Sequence, residues 1–64
     1  MKRRALVAHL KSHGCELHRE GSRHSIFRNT ATGAIAPVPR HAEIDDRLIL
    51  EICKQLGIPH LSGT

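Results

Sequence analysis

Apolar residues fall in two different rhythms along this chain. Between residues 2 and 13, Leu6 and Leu10 stand at i,i+4 with Val7 beside them, among good helix formers and without proline, so the spacing predicts a short amphipathic helix. Gly14 suits the position just past its end. Over residues 15–20 the rhythm changes to alternation, with Cys15 and Leu17 as the apolar side of a half-buried strand. Gly21 reads as a turn glycine with positive φ that reverses the chain into a second strand over residues 22–29. Along that strand Ser22, His24, Ile26 and Arg28 share one face and Arg23, Ser25, Phe27 and Asn29 the other. Phe27, the only aromatic residue, belongs on the buried side.

Residues 29–33 form a loop of turn-forming and small residues, and residues 34–39 a third strand. Pro37 and Pro39 lack ladder donors, which puts that strand at an edge or the prolines at its end. Residues 40–44 bridge to a helix over residues 46–56, with Asp45 as N-cap, Asp46 in the first turn, and Leu48, Ile49, Ile52, Cys53 and Leu56 on one broad apolar face. Gly57 ends it, Ile58 folds back onto Cys53 in a Schellman-type contact, and Pro59 blocks extension. The tail from Pro59 to Thr64 is expected to be loose at its end. The order helix, strand, strand, strand, helix predicts an α+β fold: a three-stranded antiparallel sheet with two helices on one face. No internal repeat, low-complexity segment or domain boundary interrupts it.

With 64 residues the chain is one domain near the lower limit of independent folding. The core must be thin and mostly aliphatic, so a partner can add stability. The net charge of +4 is divided unevenly: residues 1–40 carry +6 and residues 41–64 carry −2. Such asymmetry fits a polyanion on one surface, and a solvated basic face is the plainer account. With a single aromatic side chain, a nucleic acid would be held by its backbone more than read by its bases. Cys15 and Cys53 have no close spacing, and no N-terminal apolar run suggests a signal peptide or a membrane span, so a reduced cytoplasmic setting is expected. Buried thiols are the ordinary reading of the two cysteines, with a disulfide left open by sequence.

Candidate chemistry gathers on the second strand. His24 and Arg28 lie two pleats apart on one face, where a base and a cation could serve one phosphodiester, although Ile26 between them speaks for an ordinary strand face. Lys2, Arg3 and Arg4 oppose the macrodipole of the first helix, which costs stability and fits a ligand. With Lys11 they can form a phosphate track or merely a solvated face. His9, His13, Cys15 and His18 match no zinc spacing, and helix-surface histidines account for the first two. His41 reads as a loop histidine or an accessory phosphate contact.

The element order, the Gly-Ser-x-His-x-Ile-Phe stretch at 21–27, the Val38-Pro39-Arg40-His41 segment and the closing Ile52-Cys53-Lys54-Gln55-Leu56-Gly57-Ile58 together resemble the HicA family of toxin mRNA interferases over nearly the whole chain. The resemblance implies a single RNA-cleaving domain over residues 1–64 with a fold like the double-stranded-RNA-binding domain. It implies an endoribonuclease of a type II toxin–antitoxin system, without metal or other cofactor, neutralised by a HicB-type antitoxin through which it oligomerises. The family's catalytic histidine falls on His24. Arg23 beside it stays protonated and cannot be a general base. An imidazole titrates near neutral pH and suits removal of a ribose 2′-OH proton. Fixed cations stabilise the charge that grows at phosphorus, with Arg23, Arg28 and Arg40 as the candidates and Lys2, Arg3, Arg4 and Lys11 as further RNA contacts. Two alternatives stand beside this reading: a non-catalytic RNA-binding module of the same fold, and a small adaptor for protein partners.

Overall fold

The computed structural model describes residues 1–61. Its elements are α1 (Arg3–Ser12), β1 (Cys15–Glu20), β2 (His24–Asn29), β3 (Ile35–Pro39) and α2 (Asp46–Leu56). The strands form one antiparallel sheet in the order β1-β2-β3. Leu6 and Leu10 of α1 and Ile49, Ile52, Cys53 and Leu56 of α2 join Cys15, Phe27, Ala36 and Val38 of the sheet in one core. Both helices therefore cover the same sheet face, and the other face is open. The α+β architecture read from the apolar rhythm is the architecture observed.

Alternation along β2 is complete. Ser25, Phe27 and Asn29 are buried, while His24 is exposed and Ile26 and Arg28 are half-buried. Asn29 closes the far end of this strand: its Nδ2 donates to the Leu56 carbonyl at 2.8 Å and its Oδ1 accepts from Ala31 N–H at 3.0 Å. One side chain thus satisfies a free carbonyl at the end of α2 and shapes the β2–β3 loop. β3 is an edge strand, as its prolines require. At the end of α2, Gly57 has φ 71°, and the bonds from Ile58 N–H to Cys53 O and from Gly57 N–H to Lys54 O complete the Schellman motif.

Several expectations need correction. Leu17 pairs with Phe27 but is 47% exposed, because β1 is an edge that neither helix fully covers, and Leu48 at 40% lies on the margin of the α2 face. Asp45 occupies the N-cap position of α2 without a side-chain capping bond. The expectation for the tail concerns its end and is untouched by the part before it, which is held as far as Leu61: the Pro59 carbonyl lies 2.7 Å from His9 Nε2, and Leu61 packs against the core. Residues 62–64 lie outside the described residues. The segment 40–44 is more than a bridge. Lys2 pairs with Glu43 in an isolated antiparallel bridge, with Arg3 N–H donating to Ala42 O and Ile44 N–H to Met1 O, both at 2.8 Å. This pairing anchors the start of α1, which has no acidic residue in its first turn, and brings Ile44 into the core.

The register of β1 against β2 shifts between Leu17 and Arg19. This bulge leaves His18 unpaired, so Arg19 opposes Ile26 on the open face and Glu20 opposes Ser25 on the covered one. Plain alternation from Cys15 assigns those two residues to the opposite faces. The exchange puts a carboxylate beside the buried hydroxyl of Ser25.

Candidate active site

The hairpin joining β1 to β2 sets the position of His24. Gly21 N–H donates to the His24 carbonyl at 2.8 Å. A Cβ on Gly21 would stand 3.0 Å from that same carbonyl oxygen. Gly21 is not among the glycines with positive φ, so the reason for glycine is the close approach of backbone to backbone and not the left-handed conformation expected from sequence. His24 opens β2 opposite Pro39. Its side chain is exposed on the open face, and its imidazole has no hydrogen-bond partner among the described residues.

The backbone beneath this free ring is tied down. Arg40 Nη2 donates to the His24 carbonyl at 3.2 Å and also to that of Gly21, while Nη1 donates to Ser22 O at 3.2 Å. Nε and Nη2 both reach Glu20 Oε1, at 3.2 and 3.0 Å. The same Oε1 accepts from Ser25 Oγ at 2.7 Å, and that hydroxyl accepts from Arg3 Nη2 at 2.9 Å. Arg3 Nε closes the chain on Pro39 O at 2.8 Å. Two guanidinium groups, one carboxylate and one buried hydroxyl thus join α1, both hairpin strands and the end of β3.

The Ser25 hydroxyl, followed by Arg40, holds the Glu20 carboxyl below the usual carboxylate range. A depressed value in the folded state means that the pairing stabilises the protein at and above neutral pH and is lost as pH falls below the ordinary glutamate range. Urea unfolding at neutral and at acid pH is expected to show a smaller acid-induced loss of stability in Glu20→Gln than in the wild type. Equal losses would deny Glu20 this role.

The sequence-predicted cations separate into two groups. Arg3 and Arg40 are spent on the network, and Lys2 Nζ pairs with Glu43 at 3.0 Å. Arg4, Lys11 and Arg23 are exposed and have no ion-pair partner among the described residues. Lys2, Arg3, Arg4 and Lys11 come together around an open groove of about 730 Å³, whose apolar part is formed by Val7, Ala8 and Ala42. Arg28 shares the open face with His24, but it stands four positions along the strand, roughly 13 Å away between Cα atoms. Its Nη2 lies 3.6 Å from where a Cβ of Gly33 would be. The Arg28 guanidinium therefore leans toward the β2–β3 loop in this conformation.

Elsewhere, the His9 and His13 rings lie against each other with centroids 4.4 Å apart and planes tilted by 49°. Cys15 is buried in the core, and no group of three or more potential metal ligands converges among the described residues. Cys15 and Cys53 are free thiols. Burial pushes both thiols up, and for Cys15 the neighbouring Cys53 adds to the effect, so they stay protonated.

A family model described as the HicA toxin of bacterial toxin-antitoxin matches residues 3–58. The chain belongs to the HicA toxin family. The match spans all five elements of this HicA toxin, including His24 and the Arg40 network. No curated protein and no solved structure matches the chain. As a HicA family member it is the toxin of a toxin–antitoxin pair. No helix among the described residues is long and apolar enough to cross a membrane. Sequence reasoning passed over Glu20 and Ser25. A carboxylate just before the turn glycine and a hydroxyl four residues after it was the available signal, but the bulge that makes them neighbours leaves no mark in composition.

Proposed function

We propose that this HicA toxin is an endoribonuclease that cleaves mRNA in the cytoplasm without a metal, with His24 as the general base. The observation that carries the reading is an unpartnered, exposed imidazole on a backbone held by Gly21 and Arg40. A base of this kind takes the proton of a ribose 2′-OH. The 2′-oxygen then attacks phosphorus, the bond to the 5′-oxygen breaks, and that oxygen leaves with a proton from solvent. The products are a 2′,3′-cyclic phosphate and a 5′-OH. Arg23, next to His24 in sequence and exposed, is our candidate to meet the charge growing on the phosphoryl oxygens. Arg4 and Lys11 extend the contact along the α1 groove, and Arg28 meets a different phosphate of the same strand. Lys2, Arg3 and Arg40 contribute positive potential while bound to protein partners.

Neutralisation by a HicB-type antitoxin follows from the same surface. An acidic partner laid over the open face at β2 covers the imidazole and competes for the free cations, stopping both chemistry and docking. Oligomers form through that partner.

The test is incubation of the purified toxin with a structured RNA in excess chelator, followed by analysis of the product ends. Expected are cleavage unaffected by chelator, 2′,3′-cyclic phosphate termini, and binding that weakens steeply as salt rises. RNA binding with no cleavage under any condition would leave a binding module and end the catalytic reading.

A further inference from the structure

We propose that Arg40 is a positioning residue that sets where the His24 ring stands. This rests on the reading of His24 as the general base. The argument begins with what the ring lacks. An exposed imidazole without a hydrogen-bond partner turns about its own side-chain torsions, so the backbone sets the point from which it swings, and whatever holds that backbone sets what the base can reach. The His24 carbonyl receives two donors, Gly21 N–H at 2.8 Å and Arg40 Nη2 at 3.2 Å. Arg40 also bonds the carbonyls of Gly21 and Ser22, so three of the four residues from Gly21 to His24 present their oxygens to one guanidinium.

The chemistry requires arginine. Its donors are divided among Nε, Nη1 and Nη2 in a rigid plane, whereas an ammonium on a flexible stem cannot span acceptors arranged as a ring. Carbonyls that converge on one point repel each other unless a cation lies among them, so the turn as built depends on Arg40. Glu20 Oε1 holds the guanidinium from the other side and is itself fixed by Ser25 and, through Ser25, by Arg3 of α1. The β1 bulge that delivers Glu20 to this place thereby serves the position of His24. All three guanidinium nitrogens are spent inward, which distinguishes Arg40 from the exposed Arg23 as a partner for phosphate.

The experiment compares wild type, Arg40→Lys, Arg40→Ala and His24→Ala for kcat and KM on an RNA oligonucleotide, for hydrogen exchange of the Gly21 amide, and for thermal unfolding. Arg40→Lys keeps the charge and loses the fork. It is expected to lower kcat about 10- to 100-fold, the scale of a misplacement of about 1 Å, with KM within about threefold of wild type. Gly21 exchange is expected to quicken by at least about tenfold, as its bond to His24 opens more often. Added guanidinium is expected to restore part of the kcat of Arg40→Ala. If Arg40→Ala does not fold, Arg40→Lys decides alone. His24→Ala is expected to lose cleavage and keep Gly21 protection.

A wild-type kcat in Arg40→Lys overturns the proposal. So does a raised KM in Arg40→Ala with kcat and Gly21 protection unchanged, which would make Arg40 a phosphate contact. Should the wild type cleave no RNA, the reading of His24 fails by itself. The exchange measurement still tests the clamp: unchanged Gly21 protection in both Arg40 variants overturns it, and quickened exchange upholds it as the device that orders the turn.

Discussion

His24→Ala is expected to lower RNA cleavage by about 10²- to 10⁴-fold, the range contributed by a positioned general base, and to remove toxicity in cells. The fold is expected to survive. The side chain is exposed and bonds to nothing among the described residues, while the contacts that hold the turn all use the backbone of residue 24. Alanine keeps that backbone and deletes only the imidazole. The check is a single-turnover cleavage assay beside a circular dichroism melt. A variant that cuts RNA at the wild-type rate would remove the base from the mechanism. One that unfolds would show that the ring has a structural duty which its exposure denies.

Phe27→Ala is expected to remove about a third or more of the protein's stability. Phe27 is 3% exposed and lies at the centre of the covered face, between Leu17 of β1 and Ala36 of β3. Truncating a buried phenylalanine costs about 3–5 kcal/mol. A chain of this length has roughly 3–10 kcal/mol of stability in total. No other aromatic side chain is present to fill the space, and the strands on either side present only a small alanine and a half-exposed leucine. Urea denaturation followed by circular dichroism measures the loss, and a midpoint close to that of the wild type would contradict this view of the core. Binding of the antitoxin is expected to recover part of the folded population by mass action.

The two predictions draw on neighbouring strand positions with opposite burial, and the sequence marked both. Ser25, Phe27 and Asn29 alternate with His24, Ile26 and Arg28, and a period of two in a strand with one covered face leaves no freedom in which side meets the core. The helix ends at Gly14 and Gly57 were legible for a similar reason, since a positive φ after the last turn calls for glycine. Gly21 was placed correctly as the turn residue and explained wrongly. Its constraint is the His24 carbonyl 3.0 Å from a Cβ it does not have, which is a contact across the hairpin and has no local signature.

The cations show the same boundary. From sequence, Lys2, Arg3, Arg4, Lys11, Arg23, Arg28 and Arg40 are all candidates to meet an anion. In the fold Arg3 and Arg40 have carbonyls, a hydroxyl and a carboxylate as partners, Lys2 has Glu43, and Arg28 leans toward Gly33. Which charges remain for an anionic ligand depends on acceptors more than 16 residues away along the chain for Arg3 and at least that many for Arg40. Charge is a property of the residue, but its availability is a property of its surroundings.

Sequence by itself determined the order of the elements, the covered face of β2, the open side of His24 and the family, because each depends on residues a few positions apart or on the pattern of the whole chain. The tertiary structure alone decided the β1 bulge, the pairing of Lys2 with Glu43, and the use of Arg40 as a clamp. These depend on where a strand slips by one residue and which oxygens then face a guanidinium. A one-residue slip exchanges the faces of Arg19 and Glu20 without altering composition or periodicity, so it becomes visible only when the two strands lie side by side.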